Sequence, residues 1–184
     1  SKFLISHVRT LFVLFFSVGI FVLSSNFVHA ADVLFSPSTG SYASGQTFTA
    51  TVQVDPSGDS VNAVEAQITF DPALLSVVSV SKTGSVFSLW TTEPTFSNSA
   101  GTIDFGGGSP SPFSSRSNLL VITFRAVTEG TATVEFASAS ALAADGRGTD
   151  VLESAISGNY TITAATAPQP QETPVDTPAD TPAE

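Results

Sequence analysis

Apolar and polar residues alternate in short runs from about Ala31 to Ala165. TFTATVQVD (Thr47 to Asp55) sets Phe48, Ala50, Val52 and Val54 on one side, and VEAQITF (Val64 to Phe70) sets Val64, Ala66, Ile68 and Phe70 on one side, leaving Glu65, Gln67 and Thr69 on the other. LLVITFRAV (Leu119 to Val127) directs Leu120, Ile122, Phe124 and Ala126 inward with Arg125 outward; TATVEF does the same for Ala132, Val134 and Phe136, and GNYTIT for Tyr160 and Ile162. A period of two residues marks strands with one buried face, as antiparallel sheets have. Turn formers separate the runs: Asp55-Pro56-Ser57-Gly58, Asp71-Pro72, Asn98 to Gly101, Glu129-Gly130 and Asp145-Gly146. No stretch keeps a helical apolar period long enough for a substantial helix. ASASALAAD (Ala137 to Asp145) has helix propensity, but it is short and follows a strand directly. Many short strands at this spacing predict an all-β domain, a sandwich or a barrel, and we favour the sandwich.

Both ends break the pattern. Lys2 and Arg9 precede the apolar run LFVLFFSVGIFVL (Leu11 to Leu23), and VHA (Val28 to Ala30) supplies residues that a signal peptidase accepts. Residues 1–30 are therefore expected to be a signal peptide cleaved after Ala30. The alternative is an uncleaved anchor, for which the apolar run is short. From Ala167 the chain reads APQPQETPVDTPADTPAE, with Thr-Pro recurring at Thr173, Thr177 and Thr181. Proline fixes φ and removes donors, so residues 166–184 read as a semi-rigid Thr/Pro-rich linker. Residues 31–165 remain as one domain, long enough to bury a core of adequate size. The chain begins at Ser1 and has no methionine, which is the expectation for a fragment or a trimmed reading frame.

Composition then narrows the chemistry. There is no cysteine, and both histidines, His7 and His29, fall inside the predicted signal peptide. Disulfides, thiolate nucleophiles, histidine bases and Cys/His zinc sites are thereby excluded from the domain. The basic residues after Ala30 are Lys82, Arg116, Arg125 and Arg147, within a chain of formal net charge −10. Nucleic acid needs clustered Lys and Arg, so it is not an expected partner, and neither is an anionic membrane surface. A membrane enters only through a signal or an anchor beyond the linker. Paired carboxylates are the one catalytic arrangement left open. Glu65, Asp104, Glu135 and Asp150 each read better as solvated strand or loop positions, so no enzyme and no catalytic residue is expected.

Other segments carry bland readings. DGRGTDVLE (Asp145 to Glu153) places Gly and Arg where a calcium loop needs oxygen ligands, and reads as a Gly-rich connection without a metal. GGGSPSPF (Gly106 to Phe113) lacks the Lys-Ser/Thr of a phosphate loop and reads as an exposed loop after the strand TIDFG. Trp90, the only tryptophan, reads as core or rim rather than a sugar platform. Asn159-Tyr160-Thr161 matches a glycosylation acceptor only formally, because Tyr160 has inward parity.

In order along the chain, several segments together resemble the cohesin domain family. VNAVEAQITFDPALLSVVSV is similar to the cohesin third-strand region, in which an alternating strand ends in Asp-Pro followed by LL-x-V-x-x-V. SGQTFTATVQVD is similar to the second strand, LLVITFRAVTEGTATVEF to the seventh and eighth, and ALAADGRGTDVL to the loop before the last strand, here GNYTIT. The resemblance implies a jelly-roll antiparallel sandwich of about nine strands that binds dockerin modules, with calcium on the dockerin partner and no cofactor on this chain. It implies a secreted or cell-surface setting, on a scaffold or surface protein that recruits dockerin-bearing partners. It also implies a binding surface on the flat outer face of one sheet, including the strand matching Val61 to Phe70. By parity the contacts would be Ala63, Glu65, Gln67 and Thr69, joined by Asp104, Gly107 and Ser109 from the neighbouring strand and by Leu142 from the stretch before the last strand. Asp71 would be a turn former. The alternatives are a carbohydrate-binding module with a polysaccharide as partner, which needs Trp90 and Tyr42 exposed and coplanar, or a surface spacer.

Overall fold

The computed structural model describes residues 31–165; the predicted signal peptide, residues 1–30, and the predicted linker, residues 166–184, lie outside the described residues. The strands are β1 (Ala31–Ser36), β2 (Thr39–Ala43), β3 (Thr47–Asp55), β4 (Val61–Phe70), β5 (Leu75–Ser81), β6 (Leu89–Ser97), β7 (Thr102–Phe113), β8 (Ser117–Ala126), β9 (Gly130–Ala143), β10 (Leu152–Ile156) and β11 (Gly158–Thr163). Two sheets face each other, in the orders β10-β1-β3-β8-β5 and β2-β11-β9-β4-β7-β6. The expected sandwich is present, with eleven strands rather than about nine. The extra strands arise where the chain changes sheets: between β1 and β2 near Pro37, and between β10 and β11 at Ser157. Most pairs are antiparallel as expected, but β1 with β10 and β2 with β11 run parallel, because the first and last segments lie side by side in both sheets.

Alternation places the core where the sequence predicts it. Phe48, Ala50, Val52 and Val54 of β3, Val64, Ala66, Ile68 and Phe70 of β4, and Leu120, Ile122, Phe124 and Ala126 of β8 are all buried. Each fully buried side chain such as Ile68, Ile122 or Phe124 contributes about 2–3 kcal/mol by leaving water. An aromatic group closes one end: Tyr42 stacks on Phe48 at 3.9 Å, and Tyr160 lies 4.9 Å from Phe48. The Tyr160 hydroxyl donates to the Pro37 carbonyl at 2.9 Å, so the buried ring carries no orphaned polar atom. Among the described residues no other polar or charged side chain is buried, and no buried side-chain polar atom lacks a partner.

Local chemistry fixes the turns that aim these strands. The Asp71 carboxylate accepts from the Ala73 amide at 2.8 Å, and the Asp71 carbonyl accepts from Leu74 and Leu75, so Asp71 forms the turn as expected. Gly101, at φ +65°, lets the β6–β7 turn pass so close to β4 that an added Cβ would sit 2.2 Å from the Phe70 carbonyl oxygen. Asn98 in the same turn reaches across to the other sheet. Its Oδ1 accepts from the Val77 amide at 2.7 Å, and its Nδ2 donates to the Val77 carbonyl at 2.9 Å.

Two segments differ from the sequence reading. Gly106–Phe113 is strand rather than a free loop: Gly106, Gly107 and Gly108 pair with Glu65, Val64 and Ala63 of β4. The loop character survives only in Ser109–Pro112, which leaves register between the pairs Ala63–Gly108 and Val61–Phe113. Ala137–Ala143 continues β9, where pairing with β4 overrides its helix propensity.

Candidate functional site

The outer face of β9-β4-β7-β6 is built from rows of residues in register across the strands. Strand pairing aligns Leu142, Ala63, Gly108 and Leu89 in a first row, and Ser140, Glu65, Gly106 and Thr92 in a second. Ser138, Gln67, Asp104 and Thr95 make a third, and Glu135, Thr69, Thr102 and Ser97 a fourth. The alternate residues of β4 are the buried Val64, Ala66, Ile68 and Phe70, so period-two geometry alone separates this face from the core.

Most of the predicted contacts converge here. Glu65 and Gln67 are exposed; Ala63, Thr69, Asp104, Ser109 and Leu142 are half-buried. One trough takes in Ala63, Glu65, Ser109 and Leu142, and a second, polar one takes in Glu65, Gln67 and Asp104. They meet at Glu65 and Ser140. Thr69 stands apart, in a separate depression with Asp71 and Glu135. Gly107 has the wrong parity for a side-chain contact, a correction to its predicted place on the face. Its backbone borders the first trough, but a Cβ there would point inward and lie 2.6 Å from the Phe87 ring. The outward glycine is Gly106, where neighbours close in: an added Cβ would lie 3.0 Å from Thr91 Oγ1 and 3.3 Å from Glu65 Cβ. Strict alternation from Asp104 identifies Gly106; reading the glycines as loop hides it. Sequence reasoning also misses Leu89, 60% exposed on β6, because LWTTEPTFS shows no clean alternation.

The face carries carboxylates, some of them held by neighbouring side chains. Gln67 donates from Nε2 to Asp104 Oδ1 at 2.7 Å, fixing both side chains in the third row. Lys82 pairs with Glu93 at 2.8 Å and sits 5.2 Å from the centre of the Trp90 ring. Glu65 makes no hydrogen bond or ion pair among the described residues. Arg116 donates to Asp55 from Nε and Nη2 at 3.0 and 2.7 Å and holds its carboxyl below the usual range, with help from the Ser57 amide.

The competing arrangements find no support in the geometry. Trp90 is half-buried and meets Phe87 edge-on at 5.5 Å, while Tyr42 stacks on Phe48 at the opposite edge of the same sheet. Those two rings form no common sugar platform. In DGRGTD the Asp145 carboxylate caps its own turn, accepting from the Thr149 hydroxyl and the Arg147 amide, which hold its carboxyl below the usual range. Asp150 accepts from the Ala141 and Leu152 amides. Both acids thus serve as turn and strand fasteners.

Comparison with known proteins agrees with this architecture. The fold is similar to a type I cohesin–dockerin complex from Clostridium thermocellum, at 14% identity, TM-score 0.61, and coverage of 74% of this chain and 95% of the other. It is also similar to a non-cellulosomal cohesin from the hyperthermophilic archaeon Archaeoglobus fulgidus, at 14% identity, TM-score 0.59, and coverage of 73% and 91%. A third similar structure is the cohesin module of a family 33 glycoside hydrolase from Clostridium perfringens, at 12% identity, TM-score 0.56, and coverage of 74% and 98%. No curated protein sequence matches the chain. The family model described as "Cohesin domain" matches residues 34–162, nearly the whole sandwich. The chain belongs to the cohesin domain family.

Proposed function

We propose that this domain is a non-catalytic docking module of an exported scaffold or cell-surface protein, and that it binds a dockerin-bearing partner through the outer face of β9-β4-β7-β6. The observation that carries the reading is the face itself: four residue rows in register, small at the centre only in the row of Ala63 and Gly108, with hydrogen-bonding groups at Glu65, Gln67, Asp104 and Ser140. A flat sheet face of this kind receives a partner's helical surface, and charged groups on it set specificity. Family membership supports the partner class, since similar folds are seen in complex with dockerins. In this reading calcium sits on the dockerin partner rather than on this chain, whose Asp145 and Asp150 are already engaged by their own backbone.

Calorimetric titration of the chain with a panel of calcium-loaded dockerins tests this. Saturable binding that a chelator abolishes, with no turnover of the partner, is expected. An intact folded domain that binds none of the panel would overturn the reading.

A further inference from the structure

The sequon Asn159-Tyr160-Thr161 takes on a different meaning once β11 is in place. Its central residue can be anything but proline, so a buried Tyr160 is no obstacle. Alternation works in its favour: the parity that buries Tyr160 turns both flanking side chains outward. Asn159 and Thr161 are exposed, while Gly158, Tyr160 and Ile162 are buried. No other Asn-x-Ser/Thr occurs in the chain.

The surroundings of Asn159 suit a bulky hydrophilic group. It stands opposite Thr133 on β9 and Thr39 on β2, with Thr161 next along the same side of β11. Thr39 and Thr161 are exposed and Thr133 is half-buried. These are short side chains, over which a first sugar ring can lie without displacing anything. The Thr133 hydroxyl donates to Asn159 Oδ1 at 3.0 Å and orients the carboxamide, so that Nδ2 is on the side away from Thr133. Among the described residues Nδ2 has no acceptor. A substituent on Nδ2 leaves the Thr133 bond intact, because that bond uses only the oxygen.

The same ladder sets the order of events. In the fold the Asn159 amide donates to the Ser38 carbonyl at 2.7 Å, and β11 is paired on both sides. A transferase has to take the acceptor segment into its own cleft, which an interior strand does not permit. β11 is the last strand of the sandwich in chain order, so the sequon emerges unpaired during export.

Resting on the export part of the reading above, we propose that Asn159 is the acceptor for one N-linked glycan, attached before β11 pairs with β2 and β9. The donor is an oligosaccharide carried on a polyprenyl pyrophosphate. Asn159 Nδ2 attacks the anomeric carbon, and a C–N bond replaces the bond from that carbon to the pyrophosphate oxygen. The lipid pyrophosphate leaves with the electron pair, and a basic group of the transferase takes the amide proton. In the folded domain the sugar stands one strand in from β2, the open edge of its sheet. A bulky hydrophilic group there opposes pairing with another chain's edge.

The test is to secrete the full chain from a eukaryotic host that N-glycosylates and to read its intact mass before and after peptide N-glycosidase. One glycan is expected, removed by the enzyme to leave aspartate at position 159, which peptide mass spectrometry reads. Asn159→Gln and Thr161→Val should each abolish it, and Thr161→Ser should keep it. Folded, unglycosylated chain offered to the same transferase and donor should stay unmodified, whereas Ile162→Asp, which cannot seat β11, should be modified. A secreted chain without N-linked sugar, or N-linked mass that survives both Asn159→Gln and Thr161→Val, would overturn the inference and leave the export and docking readings standing. Modification of the folded chain as fast as of Ile162→Asp would overturn the proposed order. A chain that stays inside the cell would overturn the export reading and the inference together.

Discussion

Asn98 closes a gap in an edge strand, and removing it should loosen the sandwich measurably. β5 is the edge of its sheet, paired only with β8, and its ladder is interrupted by a bulge at Val78. Val77 is 4% exposed, yet its amide and carbonyl have no strand neighbour on the open side. The Asn98 carboxamide supplies both missing bonds, at 2.7 and 2.9 Å, from a turn of the opposite sheet. Asn98→Ala removes two bonds worth about 1 kcal/mol each, and it leaves a poorly hydrated peptide unit behind, so we expect a loss of about 2 kcal/mol. For a domain of this size that lowers Tm by about 8 °C. Thermal and urea unfolding followed by circular dichroism would give the value, and amide exchange would show Val77 protection falling with it. Asn98→Asp keeps the acceptor for the Val77 amide but sets a carboxylate against the Val77 carbonyl. At neutral pH it should be no better than alanine. A loss below about 0.5 kcal/mol for both variants, at unchanged m, would refute the reasoning and mean that water replaces Asn98 at the edge.

Two further predictions concern other fasteners. Tyr160→Phe strands the Pro37 carbonyl and should cost about 1–2 kcal/mol by urea unfolding. Burial pushes the Tyr160 phenol well above its ordinary value of 10.0, so its contribution is complete below that pH and is lost as pH rises past it. The alkaline fall in stability should accordingly flatten in the phenylalanine variant. Arg116→Ala should lower stability by less than about 1 kcal/mol at neutral pH, because the ion pair is solvent-exposed. The Asp55 carboxyl is held low in the fold, so this difference should be present above its unfolded pKa and vanish as pH falls through the depressed folded value. High salt should shrink it too.

How much of this was legible in the sequence follows from where side-chain packing is one-sided. β3, β4 and β8 lie inside their sheets with one face on the core, so Phe48 to Val54, Val64 to Phe70 and Leu120 to Ala126 alternate cleanly. The same parity reads Glu65 and Gln67 as outward. The edges are less legible. β6 carries Pro94, an exposed Leu89 and two register shifts, so its sequence has neither a strand period nor a turn signature. β9 beyond Phe136 is rich in alanine because Ala139 and Ala141 pack beneath close neighbours, and alanine by itself reads as helix. The glycines of β7 signal a loop in isolation. In the fold they answer crowding from Phe87, Glu65 and Asn62, which only the neighbouring strands reveal. For that reason the sequence alone does not distinguish the outward Gly106 from the inward Gly107.

The proposed docking surface is the outer face of β9-β4-β7-β6, and a paired titration separates it from the opposite sheet. Glu65→Arg changes that face, and Thr49→Arg places the same charge on the exposed side of β3 in the opposite sheet. Against a calcium-loaded dockerin that binds the wild-type chain, the account predicts that Glu65→Arg weakens affinity tenfold or more while Thr49→Arg leaves it unchanged. Equal affinities for Glu65→Arg and the wild type, or a loss confined to Thr49→Arg, would contradict it and move the docking surface to another part of the molecule.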